Sequence, residues 1–204
     1  PEGGLHYRWP DLPGPQLETR LEHKLAAVQA FATANPIDQY LFRQEQATFG
    51  LVTTGKGHLD LLEALRLLGL DEAKLRDLGI EIYKVGMVWP LHRPGILEFI
   101  HGKREVLVIE EKRGIIESQL KEYMSEPDHP GEVIVTEELS PRLLAGFVAE
   151  RLERFFKIDF SDKLATVDAC QAGVKELGGV RRMPYFCSGC PHNSSTKVPE
   201  GSKA

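Results

Sequence analysis

Short apolar runs alternate along the chain with stretches whose apolar residues recur every three or four positions. The short runs lie at 48–54 (TFGLVTT), 80–88, 105–111 and 132–136 (EVIVT), each rich in β-branched residues and read as strands. Val106, Leu107, Val108 and Ile109 are adjacent, which fits a strand buried on both faces, as in a parallel sheet covered by helices. Between the strands, Leu61, Leu62, Leu65 and Leu68 mark a helix over 58–68, and Asp71 opens a shorter one over 71–78. Pro94 suits the first turn of a helix reaching 101, because a proline nitrogen has no hydrogen to lose there. Ile115, Ile116, Leu120 and Tyr123 share helical spacing, and Ser140–Pro141 opens a helix with Leu144, Phe147, Val148, Leu152 and Phe155 inward. Outside this series, helices are expected over 17–34, with Leu21, Leu25, Val28 and Phe31 on one stripe, and over 162–175. Strand–helix alternation predicts the α/β class: a three-layer α/β/α sandwich around a mostly parallel sheet, spanning 36–160.

The ends differ in character. Residues 1–16 are rich in proline and glycine and read as extended loop, with Leu5, Tyr7 and Trp9 packing on a neighbour. From 178 onward the chain is rich in glycine and serine and carries the close cysteine pair. Three cysteines, Cys170, Cys187 and Cys190, are too few for a disulfide scaffold and imply reduced, cytoplasmic use. A net charge of −5 argues against a general nucleic-acid binder, and no apolar run is long enough for a membrane helix. The chain opens at Pro1 with no secretory leader and is read as a segment of a longer polypeptide.

Four places could carry chemistry. Residues 50–57, GLVTTGKG, nearly match a phosphate-binding loop, but Gly57 stands where a magnesium-binding hydroxyl belongs and Gly50 lies inside the strand. A tight glycine turn is the simpler account, although a strand end backed by helix amides can also hold an anion or a partner loop. Glu110 and Glu111 end a buried strand on the side where α/β domains bind ligands. A raised carboxyl pKa there would suit acid–base work, and pairing with cations such as Lys112 and Arg113 is the structural alternative. His58, His92 and His101 have no metal-ligand spacing and are expected at the surface or an interface. Cys187-Ser-Gly-Cys190-Pro-His192 fits half of a metal or iron–sulfur site, and equally a structural turn.

The stretch PYFCSGCPHNSSTKVPEGSKA, 184–204, resembles the cysteine motif that opens the thiamine-diphosphate domain of indolepyruvate:ferredoxin oxidoreductases, above all the fused bacterial type. GGLHYRWPD resembles the exit from that family's pyrimidine-binding domain. LVTTGKGHLDLLEALRLLGL and IYKVGMVWPLHRPGILEFIHGKREVLVIEEKRGIIESQL resemble its middle domain, which is similar to the C-terminal domain of transketolases. The resemblance implies a lead-in over 1–35, the transketolase-like domain over 36–160, a connecting helix and linker over 161–184, and the start of the thiamine-diphosphate domain over 185–204. It implies oxidative decarboxylation of aryl pyruvates to acyl-CoA. Thiamine diphosphate with Mg2+ and a [4Fe–4S] cluster would serve the whole enzyme, and ferredoxin and CoA would be its partners. Cys187 and Cys190 would be two cluster ligands, and His192 would lie near thiamine diphosphate. The isolated segment is expected to be non-catalytic and cofactor-free, docked to neighbouring domains of its own polypeptide in a homo-oligomer, with no nucleic acid or membrane partner. The rival expectation is a non-catalytic interaction domain whose cysteines shape a turn.

Overall fold

The protein, a computed structural model, is described over residue 5 and residues 15–124, 132–136 and 139–176. The cysteine pair, His192, Tyr7 and Trp9 lie outside these residues. The chain divides into two compact units, Pro1–Val167 and Asp168–Ala204.

In the first unit, helix α1 (Pro15–Ala34) precedes strand β1 (Gln39–Phe42). Then follow β2 (Phe49–Thr54), α2 (Gly55–Leu67), α3 (Glu72–Leu78), β3 (Ile80–Val85), α4 (Arg93–Ile100), β4 (Glu105–Glu111), α5 (Ile115–Tyr123), β5 (Glu132–Thr136) and α6 (Pro141–Phe156). Helix α7 (Ser161–Glu176) begins in this unit and ends in the second. The sheet order is β1-β3-β2-β4-β5. Strands β2 to β5 are mutually parallel, and β1 runs antiparallel along the outer side of β3.

All four expected strands form, three of them within a residue of the expected limits. Strand β3 stops at Val85, short of 88, because the next two amides leave the ladder. Gly86 N–H and Met87 N–H donate to the Asp38 carboxylate at 2.8 and 3.2 Å. The edge strand β1 was not expected: QYLF is short and half exposed, so no buried run announces it. Helix α2 starts three residues early. Gly55 takes φ +49, a value open to glycine, and turns strand into helix within one residue.

The period-2 pattern decides which face each strand residue serves. Phe49, Leu51, Ile80, Ile82, Leu107 and Ile109 point to one side, where α2, α3 and α6 supply Leu61, Leu65, Leu75, Val148 and Leu152. Val52, Tyr83, Val85, Val106 and Val108 point to the other, against Ile96 and Phe99 of α4 and Ile116 and Leu120 of α5. Burying each large apolar side chain contributes up to about 1.5–3 kcal/mol, so two dry faces make this a three-layer domain rather than an open sheet. The capping residues act as their types require. Asp71 accepts from Lys74 N–H at 2.9 Å and Ser140 from Leu143 N–H at 3.3 Å. The α1 stripe is only partly covered, since Leu21 and Phe31 stay exposed.

Candidate functional site

The parallel strands point their C-terminal ends at one edge, where α/β domains hold ligands. Lys56, the lysine of the near phosphate loop, is held by the domain itself. Its Nζ donates to Asp60 at 2.5 Å, Glu111 at 3.2 Å and the Leu139 carbonyl at 3.0 Å. A Cβ at Gly57 would lie 3.3 Å from the end of the Leu139 side chain, a tight contact that Leu139 would have to ease. The near phosphate loop is therefore the end of β2 and the first turn of α2, joined at Gly55.

The two glutamates divide their tasks. The Glu110 carboxylate, 4% exposed, accepts from Ile116 N–H at 2.8 Å and Glu117 N–H at 3.0 Å, so it caps α5 from the preceding strand. Glu111 accepts from Lys56 and from Leu139 N–H at 3.2 Å, and the Lys56 hydrogen bond lowers its pKa. Cation pairing, the structural alternative, holds for Glu111 through Lys56, whereas Glu110 is spent on helix amides instead.

His58 corrects the surface expectation. It is buried on α2, with Nδ1 2.9 Å from Thr53 Oγ1 on β2. Burial, then nearby Lys84, lowers its pKa. His92 is half-buried and pairs with Thr33 Oγ1 at 3.0 Å, and His101 is exposed. The structure does not bring the three histidines together as one ligand set: among the described residues, no group of three or more His, Cys, Asp or Glu could hold a metal ion. Cys170 is a free, exposed thiol on α7.

A second polar cluster, missed in the sequence, lies at the opposite edge. Glu81 is the second residue of β3 and Lys103 precedes β4, and they pair at 2.7 Å with side chains 6% and 5% exposed. Gln44 N–H also donates to Glu81 at 3.1 Å, and Lys103 donates to the Phe99 carbonyl. Tyr40, Arg43, Glu98 and His101 join this pair around an open groove of about 550 Å³. Burial pushes the Tyr40 pKa up to about 12, and Arg43 stacks 3.8 Å above its ring. The only sequence signal was a glutamate inside the apolar run IEIYKV.

These features define an α/β scaffold whose charged groups mainly bind its own elements. Residues 39–160 match the model of the indolepyruvate oxidoreductase domain, and the chain belongs to that family. The IorA subunit of indolepyruvate oxidoreductase from Pyrococcus abyssi is 25% identical over 195 residues, covering 92% of this chain and 28% of that protein. The Pyrococcus horikoshii IorA subunit is 26% identical over 154 residues, covering 74% and 22%. The chain thus spans about a quarter of the length of the curated relatives it matches. Among solved structures, the Magnetococcus marinus 2-oxoglutarate:ferredoxin oxidoreductase aligns at 16% identity and a TM-score of 0.46, covering 72% of this chain and 26% of that one. A split-gene transketolase, an inactive tetramer, aligns at 15% identity and 0.37, covering 64% and 40%.

Proposed function

We propose that the chain is a segment of a cytoplasmic 2-oxoacid:ferredoxin oxidoreductase that converts aryl pyruvates, indolepyruvate among them, and CoA to acyl-CoA and CO2, with electrons passing to ferredoxin. The observation that carries this reading is the family match over 39–160. In this reading 1–35 is the lead-in, 36–160 is a structural docking domain, 161–184 is a connector, and 185–204 opens the thiamine-diphosphate domain. The whole enzyme would be a homo-oligomer.

The described residues do not fit thiamine diphosphate with Mg2+ or an iron–sulfur cluster. Glu110 and Glu111 at the strand ends are committed to α5 amides and to Lys56, and no metal-holding group is present among the described residues. The reading therefore assigns both groups to residues outside those described, with Cys187 and Cys190 as two cluster ligands and His192 near thiamine diphosphate.

The test is anaerobic purification of the whole polypeptide. Indolepyruvate- and CoA-dependent ferredoxin reduction is expected, with Cys187→Ser losing both cluster iron and ferredoxin reduction. Unchanged iron and rate in Cys187→Ser would make the pair a structural turn, as the rival reading requires.

A further inference from the structure

Helix α1 is 20 residues long and barely buried. Among its described side chains Ala32 alone is buried. Leu25, Val28 and Gln29 are half-buried, and Leu21 and Phe31 are exposed. A helix of this length is marginal in water by itself, and packing of an apolar face normally supplies the rest. Helix α1 has little of that packing, so polar contacts near its C-terminal end matter to its attachment.

Those contacts converge on the start of α4. The first amides of a helix have no partner within it. His92, just before α4, makes no side-chain capping bond, and Pro94 carries no amide hydrogen. Arg93 N–H therefore needs an acceptor from another element. Gln29 of α1 supplies it at 3.2 Å, and the same side-chain amide donates to the Leu91 carbonyl at 2.8 Å. One turn further along α1, the Thr33 hydroxyl lies 3.0 Å from His92 Nε2. The preceding residues of the β3–α4 turn are held from the other side. Gln119 of α5 accepts from Leu91 N–H at 2.8 Å and donates to the Val88 carbonyl at 2.9 Å. Buried Ile116 and Leu120 anchor α5 to the sheet. One glutamine thus comes from a firmly packed helix and the other from a loosely packed one.

We propose that α1 is a detachable strap that caps α4 from outside. Docked, it closes the Arg93 amide and orders the first turn of α4, at the edge where the parallel strands end. Released, it leaves that amide to water, while Gln119 keeps its hold on Val88 and Leu91. The release is a local opening. Its free energy lies below that of the sheet, because little apolar surface separates from the domain. Any displacement of α1 is thereby felt at the start of α4, which packs on the sheet through Ile96 and Phe99. The inference does not depend on the enzymatic reading.

Native-state amide exchange of the 204-residue chain, followed residue by residue at low urea, tests this. Amides of 24–31 and the Arg93 amide are expected to exchange through one shared opening, at least about tenfold faster than those of β2 and β4. The Leu91 amide, held by Gln119, should follow the slower set. Ala26→Gly with Ala27→Gly changes two exposed positions and weakens the helix through backbone entropy alone. It should speed exchange at 24–31 and at Arg93 by the same factor, about tenfold or more. Gln29→Leu keeps helix propensity and removes the acceptor, so it should leave Arg93 exchanging faster than 24–31. Slow exchange persisting in β2 and β4 checks that each variant stays folded. Arg93 exchanging with β2 and β4, or α1 opening only when the sheet does, would overturn the proposal. So would a glycine variant that speeds 24–31 and leaves Arg93 unchanged. Protection at Arg93 that survives Gln29→Leu would also sink it, since another group would then cap α4.

Discussion

Glu81 and Lys103 meet in the core with almost no water around them. Removing one partner leaves the other charged and buried, which costs far more than the intact pair contributes. Glu81→Gln is expected to lower stability by about 3 kcal/mol, read from the urea midpoint of the 204-residue chain. Replacing both residues with apolar ones of similar size should cost much less. His58 makes a different prediction. Burial holds its pKa below 6.5, so the unfolded chain binds the proton more readily than the folded one. Stability is then fully present above pH 6.5 and falls as pH drops through the folded-state value. Denaturation midpoints measured from roughly pH 7.5 to roughly pH 5 should fall in wild type and fall less steeply in His58→Asn, which keeps a polar partner for Thr53.

At the scale of elements, β1 is the vulnerable piece, because it pairs with β3 alone. Its entry is held by Asp38, which also receives the Tyr83 hydroxyl at 3.1 Å. Gly86 sits where a Cβ would come within 2.5 Å of the Ile37 carbonyl oxygen, a backbone atom that cannot swing aside. Gly86→Ala is expected to cost about 1–3 kcal/mol, by the penalty for overpacking. Amides of Gln39–Phe42 should exchange faster in that variant, while those of β2 and β4 keep their relative protection. Unchanged exchange at β1 would mean that residue 37 relaxes without loosening the edge strand.

For the whole molecule, the decisive matter is that the described strand-end carboxylates, Glu110 and Glu111, are already in use. A diphosphate needs a metal or other cations to balance its charge, and the described carboxylates at the strand ends are taken by Lys56 and by α5 amides. Titration of the 204-residue chain with thiamine diphosphate and Mg2+ in a calorimeter should show no saturable heat. Micromolar binding would mean that residues 1–204 hold the cofactor after all. No described helix is long and apolar enough to cross a membrane.

The sequence by itself determined the class of fold. Period-2 and helical spacing are local properties, and a run such as Val106–Ile109 can be satisfied only between two covering layers. The caps Asp71 and Ser140 were legible for the same reason, since capping joins residues three apart. Tertiary structure alone decided the rest. Glu110 was visible as a carboxylate at a strand end, but only the fold shows it spent on α5 amides. His58 looked like a surface residue because nothing nearby in sequence reveals that its face of α2 lies against Thr53. The Lys103–Glu81 pair joins residues 22 apart, and the Lys56–Glu111 pair residues 55 apart. Which groups such charges meet depends on strand order, and strand order is set by packing over the whole sheet rather than by any local pattern.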